Sequence, residues 1–270
     1  MSAMTRLAWL TDIHLDFVPS EEAVATLCDG VAETRADAVL LGGDIATART
    51  IERDLRRLET CLQRPIYFVL GNHDFYGGRI RDVRRRVADL CRPSRWLHWL
   101  PEAGIVELTD QTALVGHESW ADGRLGHGRR SAFIINDYFC IEDFQDLSHD
   151  DWFAALGALG DEAAAFFREL LPRAFDGYRR VLLLTHVPPF REAAWHQGRT
   201  SDDDALPHFA CSAVGDVLKQ IMTERPQCRL TVLCGHTHGA GVAQILPNLD
   251  VHTGGAEYGA PAVQPHVVVI

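Results

Sequence analysis

The sequence has no C-x-x-C pair, no apolar run approaching a membrane span and no excess of positive charge. Its seven cysteines are scattered and odd in number, which speaks for reduced thiols in a cytosol rather than a disulfide framework. No helix is expected to cross a bilayer. The stretch Met1 to Leu10 lacks the charged and apolar regions of a signal peptide. A net charge of −11 opposes tight non-specific binding to nucleic acid or anionic lipid, which needs clustered Lys and Arg. The basic run Arg79 to Arg86 is interleaved with Val83 and Val87 at helical spacing, so it reads as a solvated helix face. There is no internal repeat and no low-complexity linker. A cytoplasmic protein with neither membrane nor nucleic acid as partner is expected; its oligomeric state is left open, a homodimer included.

What is there is a chain of 270 residues, 47% hydrophobic and 23% charged, able to bury one large core. Short apolar runs recur: Leu7 to Leu10, Ala38 to Leu41, Ile66 to Leu70, Val181 to Leu184 and Leu230 to Leu233. Helical patterns fall between the first three, from Ser20 to about Arg35 and from Thr50 to Leu62, where Pro65 stops the second. The order β-α-β-α-β predicts a parallel sheet with right-handed crossovers. Further helices are expected over Ile80 to Leu90, Asp161 to Leu171 and Ser212 to Glu224. Short strands are expected near Trp96, Ile105 and Ala113 to Val115, and over Val242 to Leu246, Asp250 to Thr253 and His266 to Ile270. Trp120 to Trp152 is rich in glycine and aromatics and has no clear period. Pro188 to Phe209 has none either, and irregular segments of that length are usually functional or disordered.

Polar residues of a particular kind follow the apolar runs. Thr11-Asp12-Ile13-His14 ends the first, Gly42-Gly43-Asp44 the second and Gly71-Asn72-His73-Asp74 the third. Thr185-His186 and Gly235-His236-Thr237-His238 end the last two. Ligands of open α/β sheets bind outside the carboxyl ends of the strands, so these groups should converge. Two carboxylates, an amide oxygen and four imidazoles can build two adjacent metal sites if one carboxylate bridges. Mixed nitrogen and oxygen ligation suits Mn, Fe, Zn, Co or Ni better than Mg or a thiolate zinc site. Each motif alone also has a plain reading as a turn or a cap; five at strand ends in one chain do not.

The set D-x-H, G-D, G-N-H-D, H and G-H-T-H resembles that of the calcineurin-like metallophosphoesterases, over Leu7 to His238. The resemblance implies a four-layer α/β/β/α sandwich with two mixed β-sheets, built by residues 1–270 as a single domain. It implies that Asp12, His14 and His238 hold one metal, that Asn72, His186 and His236 hold the other, and that Asp44 bridges them. His73 would sit over the substrate phosphate and protonate the leaving oxygen. Asp74 would orient that imidazole, or else stabilise the turn. The implied reaction is in-line attack by a hydroxide shared between two divalent or transition metal ions.

Within that superfamily, the chain lacks the Asp-Arg-Gly that protein Ser/Thr phosphatases carry after the bridging Asp, reading Asp44-Ile45-Ala46 instead. It also lacks the tyrosine that purple acid phosphatases place there. What remains resembles the small bacterial phosphodiesterases, including those for cyclic nucleotides. Phosphomonoester hydrolysis is the alternative, and a non-catalytic scaffold is the reading from another class. Residues 117–160 and 188–210 are expected to be substrate-shaping insertions. Tyr76, His117, Trp120 and His196 are the candidates for substrate contact, and the acidic run Asp202 to Asp204 reads as a solvated loop or helix cap.

Overall fold

Apolar runs too short for helices become strands buried on both faces. The computed structural model describes residues 6–18, 20–265 and the backbone of 268–269. Its first part alternates strand and helix: β1 (Arg6–Leu10), α1 (Glu21–Glu33), β2 (Ala38–Gly42), α2 (Ile51–Leu62), β3 (Ile66–Val69), α3 (Ile80–Cys91) and β4 (Leu97–Trp99). The short α4 (Leu100–Ala103) leads to β5 (Val106–Glu107) and β6 (Thr112–Gly116). Next come α5 (Asp137–Cys140), the long α6 (His149–Gly177) and β7 (Arg180–Leu184). A small hairpin of β8 (Trp195–His196) and β9 (Arg199–Thr200) precedes α7 (Leu206–Phe209), α8 (Ser212–Glu224) and β10 (Arg229–Cys234). The strands β11 (Gly241–Leu246), β12 (Leu249–Thr253) and β13 (Val268–Val269) follow. The closing strand expected over residues 266–270 is seen at β13; His266, Val267 and Ile270 lie outside the described residues.

One sheet has the order β13-β1-β2-β3-β4, parallel except for β13; the other runs β11-β12-β10-β7-β6-β5, antiparallel only at β11 and β5. Strand periodicity of two sorts the core into layers. Leu7, Trp9, Leu40 and Val69 of the first sheet meet Leu114, Leu182, Leu184 and Leu233 of the second. The alternate residues, such as Leu10, Leu41 and Phe68, pack outward on α1, α2 and α3. Val181, Leu183 and Val232 pack outward on α6 and α8. The result is the expected α/β/β/α sandwich, with every long parallel strand ending at one edge.

Local signals set several boundaries. Ser20 accepts a hydrogen bond from Ala23 N and starts α1 as a cap should. The expected solvated face of α3 holds only in part: Arg86 pairs with Glu52 near the surface, but Arg84 is mostly buried and bridges the buried Glu118 and the exposed Glu162. The helix expected to begin at Asp161 begins instead at His149. Ser148 caps it by accepting from Asp151 N. Gly157 and Gly160 masked the helical period. A Cβ on Gly160 would lie against the Asp122 side chain, so the glycine serves close approach rather than a turn.

The expectation of free thiols throughout is corrected. Packed side by side, α1 and α2 bring Cys28 and Cys61 to a Cα separation of 6.3 Å, where they form a disulfide. Cys91, Cys140, Cys211, Cys228 and Cys234 are free.

The inter-sheet layer gives a direct test of the packing. Leu40 is wholly buried there, and Leu40→Ala should cost about 2–5 kcal/mol of stability in a urea titration. A negligible shift in midpoint would mean the two sheets do not share a dry core.

Candidate metal centre

The carboxyl edges of the two sheets face each other, and short backbone bonds tie their exits together. Asp12 N donates to Gly43 O at 3.0 Å and His14 N to Asp44 O at 2.9 Å. Within the second sheet Gly235 N donates to His186 O at 2.9 Å, and His236 N reaches across to Asp12 Oδ1 of the first at 2.9 Å. Approach is so close that a Cβ on Gly71 would fall on Asp44 Oδ1, which explains the glycine ahead of Asn72. The backbone bends unusually to bring the side chains in. Asp12, His14, Asp44, His236 and His238 all adopt positive φ, between 40° and 69°. Non-glycine residues with positive φ cluster where structure is overruled by function.

The candidate side chains converge, and Asp44 lies between two groups of them. Its Oδ2 is 3.7 Å from His14 Nε2, whose neighbour at 3.1 Å is His238 Nε2. His238 Nε2 is in turn 3.5 Å from Asp12 Oδ1. One ligand atom from each of Asp12, His14, Asp44 and His238 fits within a span of 4.8 Å, close enough to hold one metal ion. On the other side Asp44 Oδ1 is 3.3 Å from His186 Nε2, which stands 3.0 Å from Asn72 Oδ1. His236 joins this second group, its ring centroid 5.0 Å from that of His186.

Proton bookkeeping shows what this second group lacks. His186 Nδ1 is 2.8 Å from Gly42 O, a carbonyl that can only accept, so the ring proton is there and Nε2 is bare. Asn72 Nδ2 donates to Asp137 Oδ1 at 2.7 Å, which turns the amide oxygen toward His186. Two acceptors thus meet with no hydrogen between them. His236 Nε2 donates to His208 O at 2.9 Å, leaving its Nδ1 bare as well. A cation between these atoms resolves the repulsion, and the nitrogen and oxygen donors suit a transition metal.

The charge balance agrees. Burial pushes Asp12 up to about 7, and burial together with the charges of Asp12 and Asp74 raises Asp44 well above the usual carboxylate range. Burial and neighbouring imidazoles lower His14 to about 2, while burial brings His236 and His238 to about 4 and depresses His186. The chain alone favours neutral carboxyls and neutral imidazoles. A divalent ion would reverse the first and exploit the second.

Other sequence candidates separate. His73 lies beside the centre, its ring centroid 4.6 Å from that of His14, and its buried Nδ1 has no hydrogen-bond partner. Tyr76 stacks on it at 4.2 Å. Asp74 does not touch the His73 ring. Its carboxylate accepts from Ile45 N, Ala46 N and Gly71 N at 2.8–2.9 Å, so it pins two strand exits and the orienting role is withdrawn. His117 and Trp120 are corrected too. His117 faces outward against Phe166 of α6, and Trp120 is buried on Phe75 and Phe144. Neither lines a cavity at the centre. Asp202 accepts from Asp204 N and Ala205 N, as a helix cap does.

Two cavities open onto the centre. The first, about 260 Å³, is lined by Asp44, Asn72, His73, Tyr76 and residues 134–137. The second, about 370 Å³, lies under the β8–β9 hairpin and includes His196. Sequence reasoning missed Asp137 and Tyr258. Asp137 accepts from both Asn72 and Tyr76, and Tyr258 covers His14 and His238 at ring distances of 4.5 and 4.9 Å. Neither sits beside a motif that could have marked it.

The profile of the calcineurin-like phosphoesterases matches residues 5–240. The chain belongs to that family. It is therefore a metal-dependent hydrolase of phosphoester bonds. Solved structures share its fold. A phosphopantetheinyl hydrolase from Mycobacterium tuberculosis is 15% identical with a TM-score of 0.65, covering 98% of this chain and 97% of its own. A dimetal phosphatase from Danio rerio is 13% identical with a TM-score of 0.58, covering 94% and 88%. No curated protein sequence matches the chain. Among the described residues no helix is long and apolar enough to cross a membrane.

A pH effect on metal uptake follows. Asp12 keeps its proton up to about pH 7 and must lose it to bind a cation, whereas the imidazoles are already neutral there. Asp44, raised well above its usual range, adds a second competing proton, so metal affinity should fall by at least roughly tenfold for each pH unit below about 7. Titration calorimetry across this range checks it, and a flat affinity would remove Asp12 from the ligands.

Proposed function

We propose that this phosphoesterase hydrolyses small phosphodiesters, cyclic nucleotides among the candidates, at a two-metal centre. The observation that carries the reading is the position of Asp44, with one carboxylate oxygen toward His14 and the other toward His186. Asp12, His14 and His238 would hold one ion, Asn72, His186 and His236 the other, and Asp44 would serve both. When bound, two such ions lower the pKa of a shared water and stabilise charge on the attacking and leaving oxygens.

The chain's own groups arrange the rest. Asp137 accepts from Asn72 Nδ2 and so keeps the amide oxygen facing inward. The same carboxylate receives the Tyr76 hydroxyl at 2.6 Å, which holds the ring stacked on His73. His73 is thereby fixed in the wall of the first cavity, where the scissile phosphate would lie. Burial lowers His73 to about 3, so its ring is neutral until an anionic phosphate arrives beside it. It would then take a proton from solvent water and pass it to the leaving oxygen. The supposed insertions contribute here too, since residues 134–137 line the first cavity and 196–205 the second. The two named neighbours share the fold at low identity, so the substrate is read from this chain's cavities.

Two variants test the roles. Asp44→Asn keeps the shape but removes the shared charge. It should lose nearly all turnover and most bound metal while its far-ultraviolet circular dichroism stays that of the parent. Wild-type turnover would dismiss the two-metal reading.

His73→Asn should keep its metal and slow hydrolysis roughly 10²–10⁴-fold where the leaving group needs a proton. A nitrophenyl diester, whose phenolate leaves unaided, should be hurt less than an alkyl ester. Equal losses would replace proton donation by simple electrostatic support, and loss of metal would make His73 a ligand. Phosphomonoesters run in the same panel decide the alternative substrate class.

A further inference from the structure

The metal centre accounts for the first cavity but not for the second. Phe209, His236, His238 and Tyr258 line both, so the two cavities adjoin beside the ligand candidates. Their chemistry differs. The first cavity is acidic, with Asp44 and Asp137 in its wall and no Lys or Arg. The second contains Arg199, the one Lys or Arg on either lining. Among the described residues the Arg199 side chain has neither an ion pair nor a hydrogen bond. Asp202, on the same lining, is already engaged as a backbone acceptor. An unpaired guanidinium in a cavity wall is an anion receptor.

The same cavity offers an apolar, aromatic surface. Of the exposed large hydrophobic residues, Phe133, Ile134 and Tyr258 line one cavity or both, and Phe17 packs on Tyr258 at 4.8 Å. Scattered exposed hydrophobics need no account, but a group gathered at one mouth marks a binding surface. Phe133 and Phe209 meet edge to face at 5.8 Å within the second cavity. His196 supplies a polar edge: its Nδ1 is 3.1 Å from Thr237 O and holds the ring proton, leaving Nε2 as an acceptor.

We propose that the second cavity receives the far ester arm of the substrate, an arm carrying a planar ring and a further anionic group. The ring lies against Phe133 and Phe209, with its N–H edge toward His196, and the anion meets Arg199. This rests on the first cavity holding the scissile phosphoester. It also narrows the substrate. A cyclic nucleotide has a single phosphate, which the metal centre takes, so Arg199 would find no anion. An open diester bearing a second phosphate fills both sites.

Three esters with a common nitrophenolate leaving group test this on metal-loaded protein. Methyl 4-nitrophenyl phosphate has neither ring nor second anion. Thymidine 5′-(4-nitrophenyl phosphate) adds the ring, and its 3′-phosphate adds the anion. Wild-type kcat/KM should rise at each step, the last by roughly tenfold and mainly through KM. Arg199→Gln should erase the gain from the 3′-phosphate but keep that from the ring, and Arg199→Lys should restore part of it. Phe133→Ala should erase the gain from the ring. Arg199 is exposed on a hairpin, so neither of its variants threatens the core. Equal wild-type rates with and without the 3′-phosphate would overturn the inference, as would a gain that survives Arg199→Gln. Turnover of the methyl ester with no rise along the series sinks the inference alone. No release from any of the three sinks the phosphodiesterase reading with it.

Discussion

Asn72 Oδ1 and His186 Nε2 stand 3.0 Å apart, and the proton of each group is committed elsewhere. Left alone, two buried acceptors at that distance repel each other and forgo the water that would have bonded them. The same shortage extends to His236, whose Nδ1 is left bare between the sheets. A cation removes it at a stroke. The donors around the centre are therefore arranged for that cation: Gly42 O takes the His186 proton, His208 O the His236 proton and Asp137 the Asn72 amide. Each bond selects which ligand atom faces inward, as partners behind the ligands do in metal sites generally.

Convergence has a conformational cost. Five ligand candidates lie in the left-handed region, at about 1–3 kcal/mol each for strained residues. Asp and His tolerate this region better than most residues, which lowers the cost without removing it. The strand exits are held by bonds between neighbours, such as Asp12 N to Gly43 O, and by the Asp74 carboxylate spanning Gly71, Ile45 and Ala46. Asp74 thus matters to the site as a frame member rather than as a partner of the His73 ring. The rigidity of the edge comes from the packed layers beneath it, where Leu40 and Leu184 lie wholly buried between the sheets.

This division explains what could be read in advance. Parallel strands buried on both faces are continuous apolar runs, so their ends, and the candidate ligands that converge just beyond them, stand out in the sequence. The start of α1 at Ser20 and the end of α2 before Pro65 were equally plain because a cap and a breaker mark them. Residues fixed by long-range packing were not legible. The direction in which His117 turns at the end of β6 depends on α6, and Trp120 is drawn inward by Phe75 and Phe144. Asp137 acts through Asn72, 65 positions away in the chain. Cys28 and Cys61 meet only because two helices lie side by side. In α6 the glycines that permit close contact hid the helical period.

Strain also bears on whether the site works or merely persists. A scaffold that had kept only the outer surface of this fold would gain stability by relaxing the left-handed ligands and by giving the bare nitrogens hydrogen-bond donors. Neither has happened. The acceptor pair is intact, both oxygens of Asp44 face ligands on opposite sides, and the outer bonds that orient the imidazoles are all in place. The chain's net charge of −11 would repel an anionic ester, and the first cavity contains no Lys or Arg to offset it. On the proposed reading, attraction of substrate would come from the metal ions the centre holds, assisted at a distance by Arg199. A centre that depends on metal both to be stable and to draw in its substrate is organised for turnover.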